Sequence, residues 1–158
     1  MISDQPINRL KAKLKQSFGK RVEPSLERCP TCAAPLSRIE GNQEVLVHNP
    51  ETCRLVNLVL SELGVEVQQT IKINIYQGAG PLRGFYFTGD PYTIHISEDA
   101  YAQLREYIIF HETKHLVDCL QFGRSEEVTP DRFARALCEK YGYASPPENY
   151  EGPWSAYA

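Results

Sequence analysis

The stretch IIFHETKHLV, residues 108–117, places two histidines four residues apart inside an apolar run. On an α-helix, His111 and His115 project from the same face, one turn apart. This arrangement suits a tetrahedral zinc ion, which binds imidazole nitrogens at about 2.0–2.1 Å. Glu112 follows the first histidine and can stand beside the metal, where it accepts a proton from metal-activated water. The stretch therefore predicts a metal-binding helix that also carries a general base.

A tetrahedral zinc site that has two histidines and a water needs one more protein ligand. Asp118 follows on the same helix, but a straight helix carries it away from the metal. It is therefore interpreted as the partner of a ligating histidine, or as an i,i+4 partner of Lys114. Cys119 lies one turn after His115, and a buried thiol is the favoured interpretation there.

The segment SEEVTPD, residues 125–131, follows the helix after a glycine turn. A second helix folded back at this point brings a glutamate to the metal and completes a His₂Glu set. Glu127 and Asp131 have the spacing E-x-x-x-D, in which the glutamate ligates and the aspartate supports a ligating histidine. Thr129-Pro130 is typical of a helix start and leaves Glu127 just outside that helix, so Glu126 also remains open.

The five cysteines, an odd number without a signal sequence, favour metal binding or buried thiols over disulfides. Cys29, Cys32, His48 and Cys53 form the pattern C-x2-C-x15-H-x4-C, which predicts a structural Cys₃His zinc site. Each half brings two ligands close in sequence, so an ion can close a loop too small to hold a core. A redox C-x-x-C pair and unliganded thiols are the alternatives.

The 158 residues, 42% hydrophobic and 23% charged, are typical of one globular domain with a small appendage. No apolar run approaches the ~20 residues that span a bilayer, and the first residues lack a signal-type stretch, so we expect a cytoplasmic location. Residues 1–28 carry seven Lys/Arg against three Asp/Glu. This basic segment, with an amphipathic helix over residues 6–18, is compatible with nucleic acid or an acidic partner, but a solvated helix face is favoured.

Periodicity and caps predict the remaining elements. His95 is interpreted as an ordinary strand histidine. We expect helices over 51–63, from Ser97 to about Phe122, and over 131–141, and strands over 67–76, 84–87 and 92–96.

The combination of H-E-x-x-H with a following E-x-x-x-D resembles the gluzincin branch of the zincin metallopeptidases. The run EVTPDRFARAL, residues 127–137, is similar to a segment of ImmA/IrrE-type proteins, and this resemblance places the third zinc ligand on Glu127. The form H-E-x-x-H-x-x-D, ending at Asp118, also resembles the mitochondrial peptidases that process an ATP-synthase subunit. The resemblance covers about residues 70–142, and it implies that strand 92–96 is the edge strand that pairs with a peptide substrate. One position of the pentad that is usually uncharged in this clan is Lys114, a departure that bears on activity more than on metal binding.

We therefore expect an α+β fold in which a small antiparallel sheet packs on the active-site helix and a C-terminal helix. The expected divisions are an N-terminal helix with a zinc knot at 1–65, a zincin-like domain at 66–143 and a tail at 144–158. The expected function is a zinc metallopeptidase acting on a peptide or protein, with Glu112 as base and Tyr141, Tyr143 or Tyr150 at the oxyanion. The alternatives are an inactive zinc-holding regulatory protein and a nucleic-acid-binding zinc module.

Overall fold

The computed structural model of the chain describes residues 27–77 and 84–147. The chain divides into two compact units, Met1–Pro50 and Glu51–Ala158. The helix expected over residues 6–18 and the tail from residue 148 lie outside the described residues. The division into three parts expected from the sequence stays a prediction. Within the described ranges, no helix is long and apolar enough to cross a membrane.

The first unit contains an antiparallel hairpin of β1 (Ser37–Glu40) and β2 (Gln43–Leu46). This hairpin is not among the elements expected from the sequence, although a signal is present. Ile39 and Val45 alternate with polar residues on either side of Gly41-Asn42, a pair typical of a two-residue hairpin turn. Gly41 has a φ of 62°, which a glycine adopts without strain.

The second unit holds a three-stranded sheet made of β3 (Lys72–Tyr76), β4 (Gly84–Tyr86) and β5 (Thr93–Ser97). The order is β3-β5-β4, with β5 parallel to β3 and antiparallel to β4. The expectation of a small sheet is confirmed, but the expectation that it is antiparallel is wrong. β4 lies on the far side of β5 from β3, so β5 lies between the two strands and runs parallel to β3.

The strand order also corrects the expectation for residues 92–96. β5 has a neighbour on each side and is not an edge strand, whereas β4 is an edge of the sheet over the described residues. Ile94 and Ile96 are fully buried on one face of β5. His95, on the other face, stacks on Phe85 with ring centroids 4.4 Å apart and lies 3.0 Å from the amide nitrogen of Asn74.

Three helices complete the described part of the second unit. They are α1 (Pro50–Leu63), which starts at the boundary, α2 (Glu98–Phe122) and α3 (Val128–Tyr141). Ser97 caps α2 by accepting a hydrogen bond from the Ala100 amide at 3.2 Å, and Gly123 ends it with a φ of 75°. Both ends agree with the sequence expectation.

The middle of α2 is buried all round because β4, β5 and α3 pack against it. The helix is also kinked, since Leu104 has non-helical angles (φ −140°, ψ 42°). Polar side chains on the turns that follow the kink are therefore withdrawn from water. The apolar core comprises Leu55, Val56, Val59, Ile94, Ile96, Ala100, Tyr107, Ile108, Ile109, Phe110, Leu116, Val117, Ala134, Leu137 and Cys138.

The start of α3 differs from the expectation and matters for the site. The helix begins at Val128, with Glu127 in the N-cap position, rather than after Thr129. Pro130 is accommodated in the first turn, where the amide hydrogen that proline lacks has no helical acceptor. Glu127 is therefore held at the junction where α3 turns back along α2.

Candidate metal centre

The two histidines of the pentad converge on one point. His111 is 1% exposed, and its Nε2 atom lies 3.0 Å from Nε2 of His115 on the next turn of α2. Their rings meet edge to face, with centroids 4.7 Å apart. The helical spacing thus brings together two imidazole nitrogens, as the sequence predicted.

Glu127 closes the group from α3. Its Oε2 lies 3.3 Å from Nε2 of His111, and its Oε1 lies 3.2 Å from Nε2 of His115. The ligand atoms of these three residues all lie within 4.8 Å of one another and could hold a metal ion. Glu126, the alternative, is exposed and does not belong to the group. We call these three residues the histidine–glutamate group.

The charges in this group are those of a metal site. Burial tends to raise the pKa of Glu127, but its interactions with the two imidazoles outweigh burial and lower the pKa to about 2. Burial lowers the pKa of His111, against the opposing effect of Glu127. A carboxylate therefore faces a neutral imidazole at pH 7, and these are the protonation states that bind a metal.

Glu112 lies beside the group but does not belong to it. The side chain is 1% exposed, and burial, with a smaller contribution from the charge of Glu127, raises its pKa well above the usual value. Its Oε2 atom has no hydrogen-bond partner among the described residues. A buried carboxylate oxygen without a partner is costly in free energy.

Gly84 on β4 lies directly against Glu112. A Cβ atom at position 84 would come within 3.0 Å of Glu112 Oε1 and 3.1 Å of Glu112 Cγ. A side chain there would force the carboxylate to move by a few tenths of an ångström, whereas glycine lets the edge strand approach it with its bare backbone. This contact depends on the strand order, which the sequence pattern does not show.

The second nitrogen of His115 is also engaged. Its Nδ1 lies 2.8 Å from Oγ of Ser125, and the Ser125 hydroxyl donates to Asp118 Oδ2 at 3.3 Å. Lys114 donates to the other oxygen of Asp118. Asp118, expected to be the partner of a ligating histidine, thus reaches one through a serine. No sequence signal singled out Ser125, because a serine before two glutamates is ordinary.

Asp131 ties α3 to α2. It accepts a hydrogen bond from the Tyr107 hydroxyl and another from Arg135 Nε at 3.0 Å. The Tyr107 ring in turn packs on the His111 ring, with centroids 5.8 Å apart. Asp131 therefore helps to hold Glu127 in place, and its expected support of a ligating histidine stays a prediction. Arg135 also donates to the carbonyl oxygens of Pro146 and Pro147, which holds the start of the tail against α3.

The tyrosines considered for the oxyanion have other partners. The Tyr141 hydroxyl donates to Glu62 Oε1 at 2.6 Å, and Arg54 Nη2 donates to the Tyr143 hydroxyl at 3.0 Å. Both partners are on α1. Tyr150 lies outside the described residues.

A second set of side chains also meets the requirements for a metal. Cys29, Cys32 and His48, all in the first unit, have ligand atoms within 4.8 Å of one another, as the spacing predicted. We call these three residues, together with Cys53 as the fourth ligand that the sequence pattern predicts, the cysteine group. Cys119 and Cys138 are free thiols outside it, and burial raises the pKa of Cys138 to about 11.

Backbone hydrogen bonds in the first unit shape the turn that carries Cys29 and Cys32. The Cys29 amide donates to the Ala34 carbonyl and the Ala33 amide donates to the Cys29 carbonyl, both at 2.8 Å, with Ala33 at a φ of 61°. Burial tends to raise the pKa of Cys29, but hydrogen bonds, chiefly from backbone amides of the turn, outweigh it and lower the pKa to about 6. Such amides stabilise a thiolate, the form that binds metal.

The β1–β2 hairpin returns the chain to this turn. The amides of Val47 and His48 both donate to the Leu36 carbonyl, at 2.9 and 3.1 Å. His48 Nε2 then lies 3.4 Å from Cys32 Sγ.

No protein-family model, no curated protein and no solved structure matches the chain. A function is therefore inferred from the chemistry of these two groups.

Proposed function

We propose that the chain is a zinc-dependent peptidase whose zinc is bound by His111, His115 and Glu127. The observation that carries this proposal is the convergence of two buried imidazole nitrogens and a half-buried carboxylate within 3.3 Å of one another. Two histidines and a glutamate are a common donor set of catalytic zinc sites, which keep a fourth position open. Zinc in such a site polarises a carbonyl group and lowers the pKa of a water molecule towards ~7.

Glu112 supplies the proton transfer. It takes a proton from the water that attacks the peptide carbonyl carbon, and it gives that proton to the amine nitrogen as the carbon–nitrogen bond breaks. The raised pKa of Glu112 supports this role, because a group that both accepts and returns a proton works best when its pKa is near the working pH.

The position of β4 supports a peptide as the substrate. An extended peptide can add to the edge of a sheet as a further strand. Gly84 places this edge against Glu112, with no side chain between the strand and the carboxylate. A peptide paired with β4 would therefore lie beside the proposed base.

The cysteine group has a different proposed role. Three thiolates and one imidazole fill all four positions of a tetrahedral zinc ion, which is the arrangement of structural rather than catalytic sites. We assign it a structural zinc that holds the turn of the first unit in shape.

Cleavage of a mixed peptide library by the full chain, loaded with zinc, tests the peptidase. We expect Glu112→Gln to keep its zinc content while cleavage falls by a factor of about 10²–10⁴, the usual contribution of a general base. Glu126→Gln is the matched control and should cleave like the wild type. Equal cleavage by Glu112→Gln would contradict the proposal. A wild type that binds zinc but cleaves nothing would contradict it too, and would favour a zinc-holding regulatory protein.

A further inference from the structure

We propose that Ser125 is a positioning residue of the metal centre, whose hydroxyl oxygen accepts a hydrogen bond from Nδ1–H of His115 and so leaves the Nε2 lone pair for the metal. The inference rests on the proposed zinc site. It starts from the contact of 2.8 Å between His115 Nδ1 and Ser125 Oγ, on the side of the ring opposite to His111 and Glu127.

The neighbours of Ser125 set the direction of this hydrogen bond. A hydroxyl group has one hydrogen and two lone pairs, whereas a carboxylate or a carbonyl oxygen only accepts. Ser125 Oγ lies 3.3 Å from Asp118 Oδ2 and 3.5 Å from the main-chain oxygen of Glu126. Both neighbours can only accept a hydrogen bond, so the hydroxyl hydrogen points towards one of them. The serine oxygen therefore turns a lone pair towards His115, and Nδ1–H is the donor.

This direction fixes the tautomer of His115. A neutral imidazole carries one hydrogen, so donation from Nδ1 leaves Nε2 without one. Nε2 is the atom that faces His111 and Glu127. Polar partners that hold the second nitrogen of a ligating histidine typically strengthen metal binding by a factor of about 10–100.

Lys114 gains a purpose in this arrangement. Its Nζ donates to Asp118 Oδ1, and the side chains of Lys114 and Asp118 are only 13% and 9% exposed. The ammonium group holds the Asp118 carboxylate in place, which preserves the acceptor for the Ser125 hydroxyl. The charged residue within the pentad thus serves the metal ligand through Asp118 and Ser125.

Zinc affinity of the full chain, measured by competition with a chromophoric chelator, tests the inference. The relevant binding step is the one that disappears in His111→Ala. We expect Ser125→Ala to weaken that step about 10–100-fold, and Ser125→Thr, which keeps the hydroxyl, to restore it. Ser61→Ala, at an exposed serine of α1, is the matched control and should bind like the wild type.

A spectroscopic measurement separates positioning from a general structural effect. In the zinc-loaded wild type, the His115 Nδ1 proton should exchange slowly with water and be visible by NMR in histidine-labelled protein. In Ser125→Ala this signal should be lost while the amide spectrum of the core is kept. Unchanged affinity and an unchanged signal in Ser125→Ala would overturn the role of Ser125 alone. Absence of the His111-dependent step from the wild type would overturn the proposed zinc site, and the inference with it.

Discussion

The histidine–glutamate group and the cysteine group can both hold a metal, but their surroundings differ. The cysteine group includes a turn whose backbone amides stabilise a thiolate, and its sequence pattern offers four ligands. The histidine–glutamate group offers two ligands from the buried turns of α2 and one from the start of α3, next to a further buried carboxylate and a nearly buried ion pair. Four ligands suit a structural ion. Three ligands beside buried ionisable groups suit the catalytic zinc that we propose.

The sharpest way to break this comparison is to remove each group separately. His111→Ala should abolish peptide cleavage while the zinc of the cysteine group is kept. The double variant Cys29→Ser/Cys32→Ser should lose the zinc of the cysteine group and keep the zinc that depends on His111. Zinc content by atomic absorption and cleavage of the library measure both effects. Full cleavage by His111→Ala would show that the assignment of roles is wrong.

The buried ion pair beside the histidine–glutamate group provides the next test. Lys114→Met leaves the Asp118 carboxylate without its ammonium partner, and breaking a buried pair in this way typically costs about 3–5 kcal/mol of unfolding free energy. Chemical denaturation of the full chain measures the loss.

Lys140→Met is the matched control for this variant. Lys140 pairs with Glu62 at 2.7 Å, but its side chain is 58% exposed. Removal of an exposed pair is expected to leave the unfolding midpoint nearly unchanged. Equal effects of the two lysine variants would show that the surroundings of the histidine–glutamate group carry no special cost.

Glu112→Gln should stabilise the zinc-free chain. Because burial raises the pKa of Glu112 above its unfolded value, the folded chain holds that proton more tightly, and stability falls as the pH rises from the unfolded to the folded pKa. The free energy of unfolding of the variant should therefore exceed that of the wild type by about 1–3 kcal/mol at a pH above the folded pKa. This is the usual cost of a buried polar group without a partner.

The pH dependence provides the control for this prediction. Below the ordinary glutamate pKa of 4.5 both states are protonated, and the gain should disappear. Denaturant unfolding at several pH values, with a chelator present, measures it. A variant that is less stable than the wild type at neutral pH would contradict a buried, unpartnered Glu112.

A smaller effect is expected from Gly84→Ala, which adds a methyl group against the Glu112 carboxylate. The displaced carboxylate should lower kcat by roughly tenfold, with KM and zinc content nearly unchanged, because proton transfer depends on positions within about 1 Å. Steady-state kinetics on one cleaved peptide measures kcat and KM separately. An unchanged kcat would mean that β4 does not position the base.

The sequence predicted what depends on local pattern. The start of α2 at Ser97, its end at Gly123 and the helical pairing of His111 with His115 all follow from caps and period. The cysteine spacing likewise predicted the proximity of Cys29, Cys32 and His48 within the first unit.

What the sequence missed depends on contacts between distant segments. The parallel pairing of β3 with β5 and the approach of Gly84 to Glu112 follow from the strand order, which alternation cannot show. The position of Ser125 follows from where α3 begins, and Thr129-Pro130 suggested a later start than the structure has. Packing of α3 along α2 overrode that local signal and placed Glu127 at the N-cap.

The central claim is that Glu127 completes the metal site, and the zinc content of two neighbouring variants tests it most directly. Glu127→Gln and Glu126→Gln each remove one negative charge, from adjacent residues. The zinc content of each variant is measured after dialysis against a weak chelator. The account predicts that Glu126→Gln keeps about two zinc ions per chain, as the wild type does, and that Glu127→Gln keeps about one, in the cysteine group. Two zinc ions in Glu127→Gln, or loss of one in Glu126→Gln, would contradict it.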